Sequence, residues 1–348
     1  MKITLIVPQV KTQPEARPKR CPQCSSPYLA RHGTVAKALK DIKLNRVRVV
    51  RYRCSNCGVT FRHYPEGVRR ARQSKRLIVL AALMQALGLS CSVTSHLLRL
   101  EEAPISKSTV WRDVQEVGIA LRRRPWTGKA RVIGADETWV KLKGQGVALG
   151  LVVDAQSGET IWVEVLVELD SAAFVRWLRK VADRVGAEVL VTDDLSTYKP
   201  VAQRLGLKHQ VCLAHVRKNV TKRLKKLAGQ EEVKEATCGR MAIRDIIREL
   251  PPWGERAIRE LAKVLRRDTP WRMFLRELAD KYKSLRLHLE EEGVPATNNV
   301  AERAIGRSKV RYKTVRGFKS EAGMLNLVAL TQWLYTPNEV HDTRNLVA

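Results

Sequence analysis

The chain has 348 residues, enough for two or three domains, and its 64 Lys and Arg outnumber 35 Asp and Glu to give a formal net charge of +29. This length argues against a single small binding module, and the charge calls for a polyanionic partner, of which nucleic acid is the natural candidate. The longest apolar run, Leu77 to Leu87, is too short to span a bilayer, and residues 1–10 lack the features of a secretion signal. We therefore expect a cytoplasmic, nucleoid-associated protein with no membrane partner.

Residues 1–70 form a basic N-terminal segment, in which 16 Lys and Arg exceed 3 acidic residues for a net charge of +13. Two Cys-x-x-Cys pairs lie in this segment: Cys21 with Cys24, and Cys54 with Cys57. The stretch Lys43–Tyr52 between them is typical of short strands. Two tight turns that each present two thiolates supply the four soft donors of tetrahedral zinc, so we predict a zinc ribbon with one structural Zn²⁺. A redox dithiol would need only one such pair beside a βαβ unit.

Helical periodicity begins after this segment and continues over residues 73–124, where three apolar stripes predict three helices. The third helix opens near Ser106 and would bury valines while it displays Lys107, Ser108 and Arg112. This is the layout of a helix-turn-helix, whose recognition helix enters the major groove, and we predict that these three residues contact DNA. A plain helical linker domain is the alternative that the pattern leaves open.

Strand-like segments begin beyond a basic linker that ends at residue 128. The predicted elements are strands at 131–142, 147–153 and 160–167, a helix at 171–184, a strand at 188–192, a helix at 196–205, a strand at 208–213 and a helix at 215–227. This is the element order of the RNase H-like fold, in which the first and fourth strands lie side by side in a mixed sheet.

Three acidic residues occupy defined places in that order. Asp136 lies within the first strand, Asp193 follows the fourth, and Glu302 falls in the first turn of a helix that the motif Thr-Asn-Asn-Val-Ala-Glu-Arg opens. Carboxylate oxygens are the ligands that Mg²⁺ prefers, and a pair of such ions supports phosphoryl transfer. We predict a catalytic site of these three residues, with Asp194 as an alternative to Asp193 and Glu321 as an alternative to Glu302.

These motifs together resemble those of a DDE transposase of a prokaryotic insertion sequence. The matching residues are Asp136-Glu-Thr, Val-Thr-Asp193 followed by Tyr198, Cys212-Leu-Ala-His215, and Thr-Asn-Asn-x-x-Glu302-Arg. The resemblance implies metal-dependent DNA cleavage and strand transfer with two Mg²⁺, for which Mn²⁺ can substitute. It also implies double-stranded DNA as the partner and a homo-oligomer on that DNA. This chain departs from its relatives at Asp194, where they usually have Gly.

The domain organisation follows from these features and from the helical insertion that the resemblance implies before the last acid. The predicted parts are a zinc ribbon at 1–70, a helix-turn-helix domain at 71–128, an RNase H-like domain at 129–216 and 295–348, and a helical insertion at 217–294. The expected fold class is therefore multidomain α/β.

Further candidate residues lie around the third acid and in the insertion. Arg303, Lys309 and Arg316 belong to a basic stretch that we predict to hold the DNA backbone, although a solvated charged face is the usual alternative. Cys212 and His215 supply half of a zinc site, but no second pair of donors is visible, and a structural role is favoured. Trp253 and Trp271 could stack on a flipped base, whereas tryptophans at helical spacing usually belong to a core.

Two other functions remain compatible with parts of the sequence. A zinc-dependent DNA-binding regulator, such as a domesticated and inactive transposase, would explain the N-terminal half but not the three acids. An RNase H-like nuclease or resolvase would share the metal site, while the helical insertion and the paired DNA-reading modules favour transposition.

Overall fold

A computed structural model describes residues 4–124, 126–228, 242–265, 269–315, 317–336 and 340–347. The chain forms two compact units. The first unit comprises Met1–Pro125, Leu142–Gly144 and Ser308–Ala348, and the second comprises Trp126–Lys141 and Gln145–Arg307. None of the described helices is long and apolar enough to cross a membrane.

From residue 73 to residue 228, helices and strands follow one another in the order that the sequence patterns predict, whereas the strands at Leu29–Ala38 and Thr60–His63 were not predicted. The strands are β1 (Thr4–Ile6), β2 (Leu29–Ala38), β3 (Arg46–Cys54), β4 (Thr60–His63), β5 (Val132–Leu142), β6 (Gln145–Asp154), β7 (Thr160–Leu166), β8 (Val189–Thr192), β9 (Lys208–Val211) and β10 (Val340–Asp342). The helices are α1 (Lys75–Ala86), α2 (Cys91–Leu100), α3 (Lys107–Arg122), α4 (Ser171–Val185), α5 (Tyr198–Leu205), α6 (Leu213–Ala228), α7 (242–249), α8 (Gly254–Val264), α9 (Pro270–Glu290), α10 (Asn299–Val315) and α11 (Glu321–Leu334).

The N-terminal part of the first unit is a three-stranded antiparallel sheet in the order β2-β3-β4. Its small core consists of Leu29, Val50 and Tyr52, which pack against buried cysteines. A separate pairing joins the two ends of the chain, because β1 runs parallel to β10. This pairing was not predicted, since each strand has only three residues and so lacks a readable alternation.

Four helices of the first unit begin with a serine cap of the same kind. The side chains of Ser74, Ser90, Ser106 and Ser320 each accept a hydrogen bond from the backbone N–H three residues later. Helix α3 buries the valines that the pattern assigned to its inner face. It also packs closely on α11, where a Cβ at Gly118 would lie only 2.5 Å from the backbone oxygen of Asn326. The predicted helical region is therefore one packed bundle.

The second unit is built on a five-stranded sheet in the order β7-β6-β5-β8-β9. Strand β5 pairs in parallel with β8, β8 pairs in parallel with β9, and β6 pairs antiparallel with β7. Helix α4 covers the sheet with Phe174, Trp177, Leu178 and Val181, which are all buried as the pattern predicts. The predicted RNase H-like mixed sheet, with its first and fourth strands adjacent, is thus confirmed.

A second hydrophobic core lies in the helical part of this unit. Residues of α6 to α9 bury their apolar faces against one another, with Tyr282 and Leu285 of α9 almost fully enclosed. Trp271 is partly buried and packs against this core, whereas Trp253 is 61% exposed. The packing favours a core role for Trp271 over base stacking.

Candidate active site and metal centres

The register of the central strands brings the first two acids to one place. Gly134 on β5 pairs with Val191 on β8, and the chain reaches Asp136 and Asp193 two residues beyond this pair. Because neighbouring strands lie about 4.8 Å apart and side chains alternate with a period of two, residues two positions beyond this pair project from the same face of the sheet. The parallel pairing is therefore what joins residues 57 positions apart in sequence.

Helix α10 contributes the third acid, and Asn298 fixes the start of that helix. The Asn298 side chain is buried and donates from Nδ2 to the backbone oxygen of Ala135 at 2.9 Å, while its own backbone oxygen accepts from the N–H of Glu302 at 3.1 Å. A Cβ at Gly134 would lie 2.8 Å from Oδ1 of Asn298, so only glycine allows this approach. The Asn-Asn motif thus holds Glu302 beside β5.

Burial and mutual repulsion shape the electrostatics of these acids. Burial raises the pKa of Asp136 to about 7, and the charges of Asp193, Glu137 and Glu302 add to the effect. The pKa of Asp193 is also raised by burial and by neighbouring carboxylates, although the N–H of Leu195 and the charge of His215 oppose the rise. A cluster of oxygen donors that repel one another fits hard divalent cations such as Mg²⁺.

The side chain of Asp194 points to different partners. Its Oδ1 forms an ion pair with Nζ of Lys281 at 2.6 Å, and its Oδ2 accepts from Nδ2 of Asn219 at 3.0 Å. Only 12% of the side chain is exposed. Both oxygens are therefore engaged with the helical part of the unit, which favours Asp193 as the second acid. Glu321, the alternative third acid, is an exposed residue at the start of α11.

Glu137 and Tyr198 form a buried pair that the sequence did not reveal as a contact. The Tyr198 hydroxyl donates to Oε2 of Glu137, and the ring packs edge-on against Phe174. Burial and the adjacent carboxylate raise the pKa of Tyr198 well above its ordinary value, so the phenol stays protonated. This contact holds the residue next to Asp136 in place and accounts for a tyrosine five residues after the second acid.

Cys212 and His215 lie against the third acid. Cys212 follows β9, is fully buried, and its sulfur lies 4.0 Å from Oε1 of Glu302. Nδ1 of His215 lies 3.5 Å from the same oxygen. The three side chains present donor atoms that all lie within 4.8 Å of one another.

The four N-terminal cysteines converge as the zinc prediction requires. The sulfurs of Cys21 and Cys57 are 3.7 Å apart, and those of Cys24 and Cys54 are 3.6 Å apart. Zn–S bonds of about 2.3 Å in a tetrahedron place sulfurs about 3.8 Å apart, so the arrangement fits one zinc ion. A backbone hydrogen bond at Ser26 is the largest effect on Cys24 and helps to lower the pKa of its thiol to about 6, which favours the thiolate that a metal binds.

The residues predicted to contact DNA are exposed wherever the structure describes them. Lys107, Ser108 and Arg112 lie on the surface at the N-terminal end of α3, and Arg112 donates to Oγ1 of Thr109 at 3.2 Å. Arg303 and Lys309 are exposed on α10. Arg316 lies outside the described residues.

Comparison with known proteins gives similarity to solved structures only. No family model and no curated protein matches the sequence. The catalytic core of HTLV-2 integrase in complex with magnesium is 17% identical over 29% of this chain and 74% of its own, with a TM-score of 0.22. The catalytic core of BIV integrase is 15% identical over 31% and 77%, with a TM-score of 0.21. The Drosophila P element transposase strand transfer complex is 11% identical over 78% and 93%, with a TM-score of 0.44. All three scores are below 0.5, and the fold assignment rests on the strand order of this chain itself.

Proposed function

We propose that this protein is a transposase, which cleaves DNA at the ends of a mobile element and joins the freed 3′ ends to target DNA. The observation that carries this proposal is the proximity of Asp193 and Glu302 to Asp136 on the central strand of an RNase H-like sheet, with a pKa of about 7 at Asp136. Carboxylates that repel one another in a partly buried site are suited to bind cations. The net charge of +29 suits a protein whose substrate is a polyanion.

Each part of the chain has a role in this proposal. The three acids would hold two Mg²⁺, whose charge would activate an attacking oxygen and stabilise the leaving oxygen of a phosphodiester. Arg303, Lys309 and Arg316 contact the DNA backbone. The zinc ribbon and α3 bind the element ends, with Lys107, Ser108 and Arg112 directed to the groove. The protein itself chiefly positions DNA, so no covalent protein intermediate is needed.

Cleavage and strand transfer on labelled DNA taken from both sides of the gene provide the test, with Mg²⁺ or Mn²⁺ as the metal. We expect Asp136→Asn, Asp193→Asn and Glu302→Gln to abolish both reactions while DNA binding persists. Asp194→Asn is the matched control, because it removes a neighbouring acid whose oxygens contact Lys281 and Asn219 instead. This control should keep forming product.

The outcomes separate the proposal from its alternatives. A protein that binds these DNA ends but never cuts them with either metal would be the inactive regulator. A protein that cuts but never joins strands would be a nuclease or resolvase. Loss of activity in Asp194→Asn but not in Asp193→Asn would exchange the roles of these two residues.

A further inference from the structure

A cluster of three different donors adjoins the proposed magnesium site. It consists of the Cys212 sulfur, the His215 imidazole and the Glu302 carboxylate. Mg²⁺ prefers oxygen, whereas thiolate and imidazole prefer zinc and related transition metals. The two kinds of ion would therefore compete for Glu302, which offers the one carboxylate in the cluster.

The geometry lies close to that of a zinc site. With Zn–S of about 2.3 Å and Zn–N and Zn–O of about 2.0 Å, tetrahedral coordination places S and O about 3.5 Å apart and N and O about 3.3 Å apart. The corresponding separations are 4.0 Å for Cys212 to Glu302 and 3.5 Å for His215 to Glu302. A side-chain rotation that shortens the Cys212–Glu302 separation by about half an ångström would bring this pair to the value of a zinc site.

The surroundings of the cluster point to a ligand. Nδ1 of His215 is buried and forms no hydrogen bond with any of the described residues, although it faces the Glu302 oxygen. A buried ring nitrogen that has this contact and no hydrogen bond is suited to take a metal ligand position. The backbone around Cys212 is fixed, because the N–H of Cys212 donates to Thr192 at 2.8 Å and the N–H of Leu213 donates to Ala296 at 2.9 Å.

Access from solvent and charge also suit a dication. The side chains of His215 and Glu302 are 37% and 40% exposed, so the cluster lies near the surface of the unit although Cys212 and Nδ1 of His215 are themselves buried. The carboxylates of Asp136 and Asp193 add negative potential to the same region. Three protein donors match the pattern of a zinc site in which the fourth ligand is exchangeable.

We propose that Cys212, His215 and Glu302 bind a transition-metal ion, for which Zn²⁺ is the probe, and that this ion withdraws Glu302 from the magnesium site. Zinc would then inhibit the magnesium-dependent reaction of the same chain. The inhibition rests on the proposed transposase function, whereas the binding of zinc does not.

Zinc binding to the full chain is measured first, by equilibrium dialysis under anaerobic conditions with Zn²⁺ alone. We expect two ions per chain, one at the four N-terminal cysteines and one at the new site. Cys212→Ser and Glu302→Gln should each retain one ion. Cys91→Ser is the matched control, because this half-buried cysteine belongs to neither cluster, and it should retain two ions.

Cobalt provides a second readout that reports on the sulfur ligand directly. Co²⁺ in place of zinc should show thiolate-to-cobalt absorption from both sites, and the part that comes from the new site should disappear in Cys212→Ser. If that variant does not fold, His215→Gln replaces it, because the His215 side chain is partly exposed and its replacement disturbs the fold less. The His215→Gln substitution should lower the affinity for the second ion by at least about tenfold. One zinc per parent chain, or two in both Cys212→Ser and His215→Gln, would overturn the proposal.

Inhibition is then measured as DNA cleavage at fixed Mg²⁺ and rising Zn²⁺. Activity of the parent should fall as the second zinc binds, and the zinc concentration for half inhibition should rise at least about tenfold in His215→Gln. Equal inhibition of both proteins would remove the regulatory part of the proposal. Absence of cleavage without zinc would instead contradict the transposase function and leave the dialysis result to decide the metal site.

Discussion

Replacement of Gly134 by alanine tests how α10 is held against the central strand. Gly134 lies two residues before Asp136, and its φ is outside the left-handed region, so the strand backbone itself accepts alanine. The added Cβ would lie 2.8 Å from Oδ1 of Asn298 and 3.1 Å from a methyl group of Val153. Asn298 is 2% exposed and has little room to move, so the start of α10, and with it Glu302, must shift away from Asp136.

The expected size of the effect follows from two opposing contributions. Overpacking of a tight core destabilises by about 1–3 kcal/mol. The loss of glycine's freedom in the unfolded chain stabilises by about 0.4–1 kcal/mol. The free energy of unfolding should therefore fall by about 1–2 kcal/mol. Activity should fall much further, by about 100-fold, if Glu302 moves by about 1 Å from its productive position.

Urea denaturation and Mg²⁺-dependent strand cleavage on the same preparations separate the two effects. Gly150→Ala is the matched control, because its Cβ would lie 2.7 Å from the Trp177 ring and so overpacks the same sheet against α4. It should lose similar stability and keep its cleavage rate when assayed well below its unfolding transition. Full activity of Gly134→Ala, or equal loss of activity in both variants, would refute the role of this contact in placing Glu302.

Three other predictions concern pH, zinc and salt. Burial is the main cause that raises the pKa of the Asp113 carboxyl group from 3.8 to about 7. The contribution of this group to the free energy of unfolding is therefore fully present below pH 3.8 and is lost, by about 4 kcal/mol, as pH rises through 7. Chemical denaturation should show a smaller pH dependence in Asp113→Asn, and an unchanged one would contradict this pKa. Removal of zinc by a chelator, or the Cys54→Ser substitution, should unfold the β2-β3-β4 sheet, because the core of this sheet is small. Hydrogen exchange should then show that the amides of this sheet lose their protection, and retained protection would count against a structural zinc. DNA binding should weaken by about three to five powers of ten between 50 and 200 mM salt if 6–10 phosphates are contacted, as a filter-binding series can measure, and a salt-independent affinity would exclude extensive phosphate contacts.

Local patterns were sufficient for the fold of the second unit. Alternation marked the strands, periodicity marked α4 and four of its six buried residues, and the order of elements predicted that β5 and β8 would be neighbours. Deviations are confined to boundaries. The sequence extended the last strand to residue 213, whereas β9 ends at Val211 because Leu213 already begins α6. The division into four parts and the roles of the site residues stay predictions.

The candidate site was readable only in part. The spacing of the cysteine pairs indicated zinc because four donors lie within two short turns, and the motif around Glu302 indicated a capped helix start. The same sequence left open whether Asp193 or Asp194 is the second acid, since adjacent residues share the same local pattern. The ion pair that engages Asp194 comes from Lys281, 87 residues away.

The sequence by itself therefore singled out the candidate residues and determined on which elements they lie, because spacing and periodicity are local properties of the chain. Tertiary structure decided which of them meet. It turned Asp194 toward the helical part, paired Tyr198 with Glu137, and placed Cys212 beside Glu302 across 90 residues. These contacts depend on strand register and helix packing, which join segments whose separation along the chain gives no periodic signal.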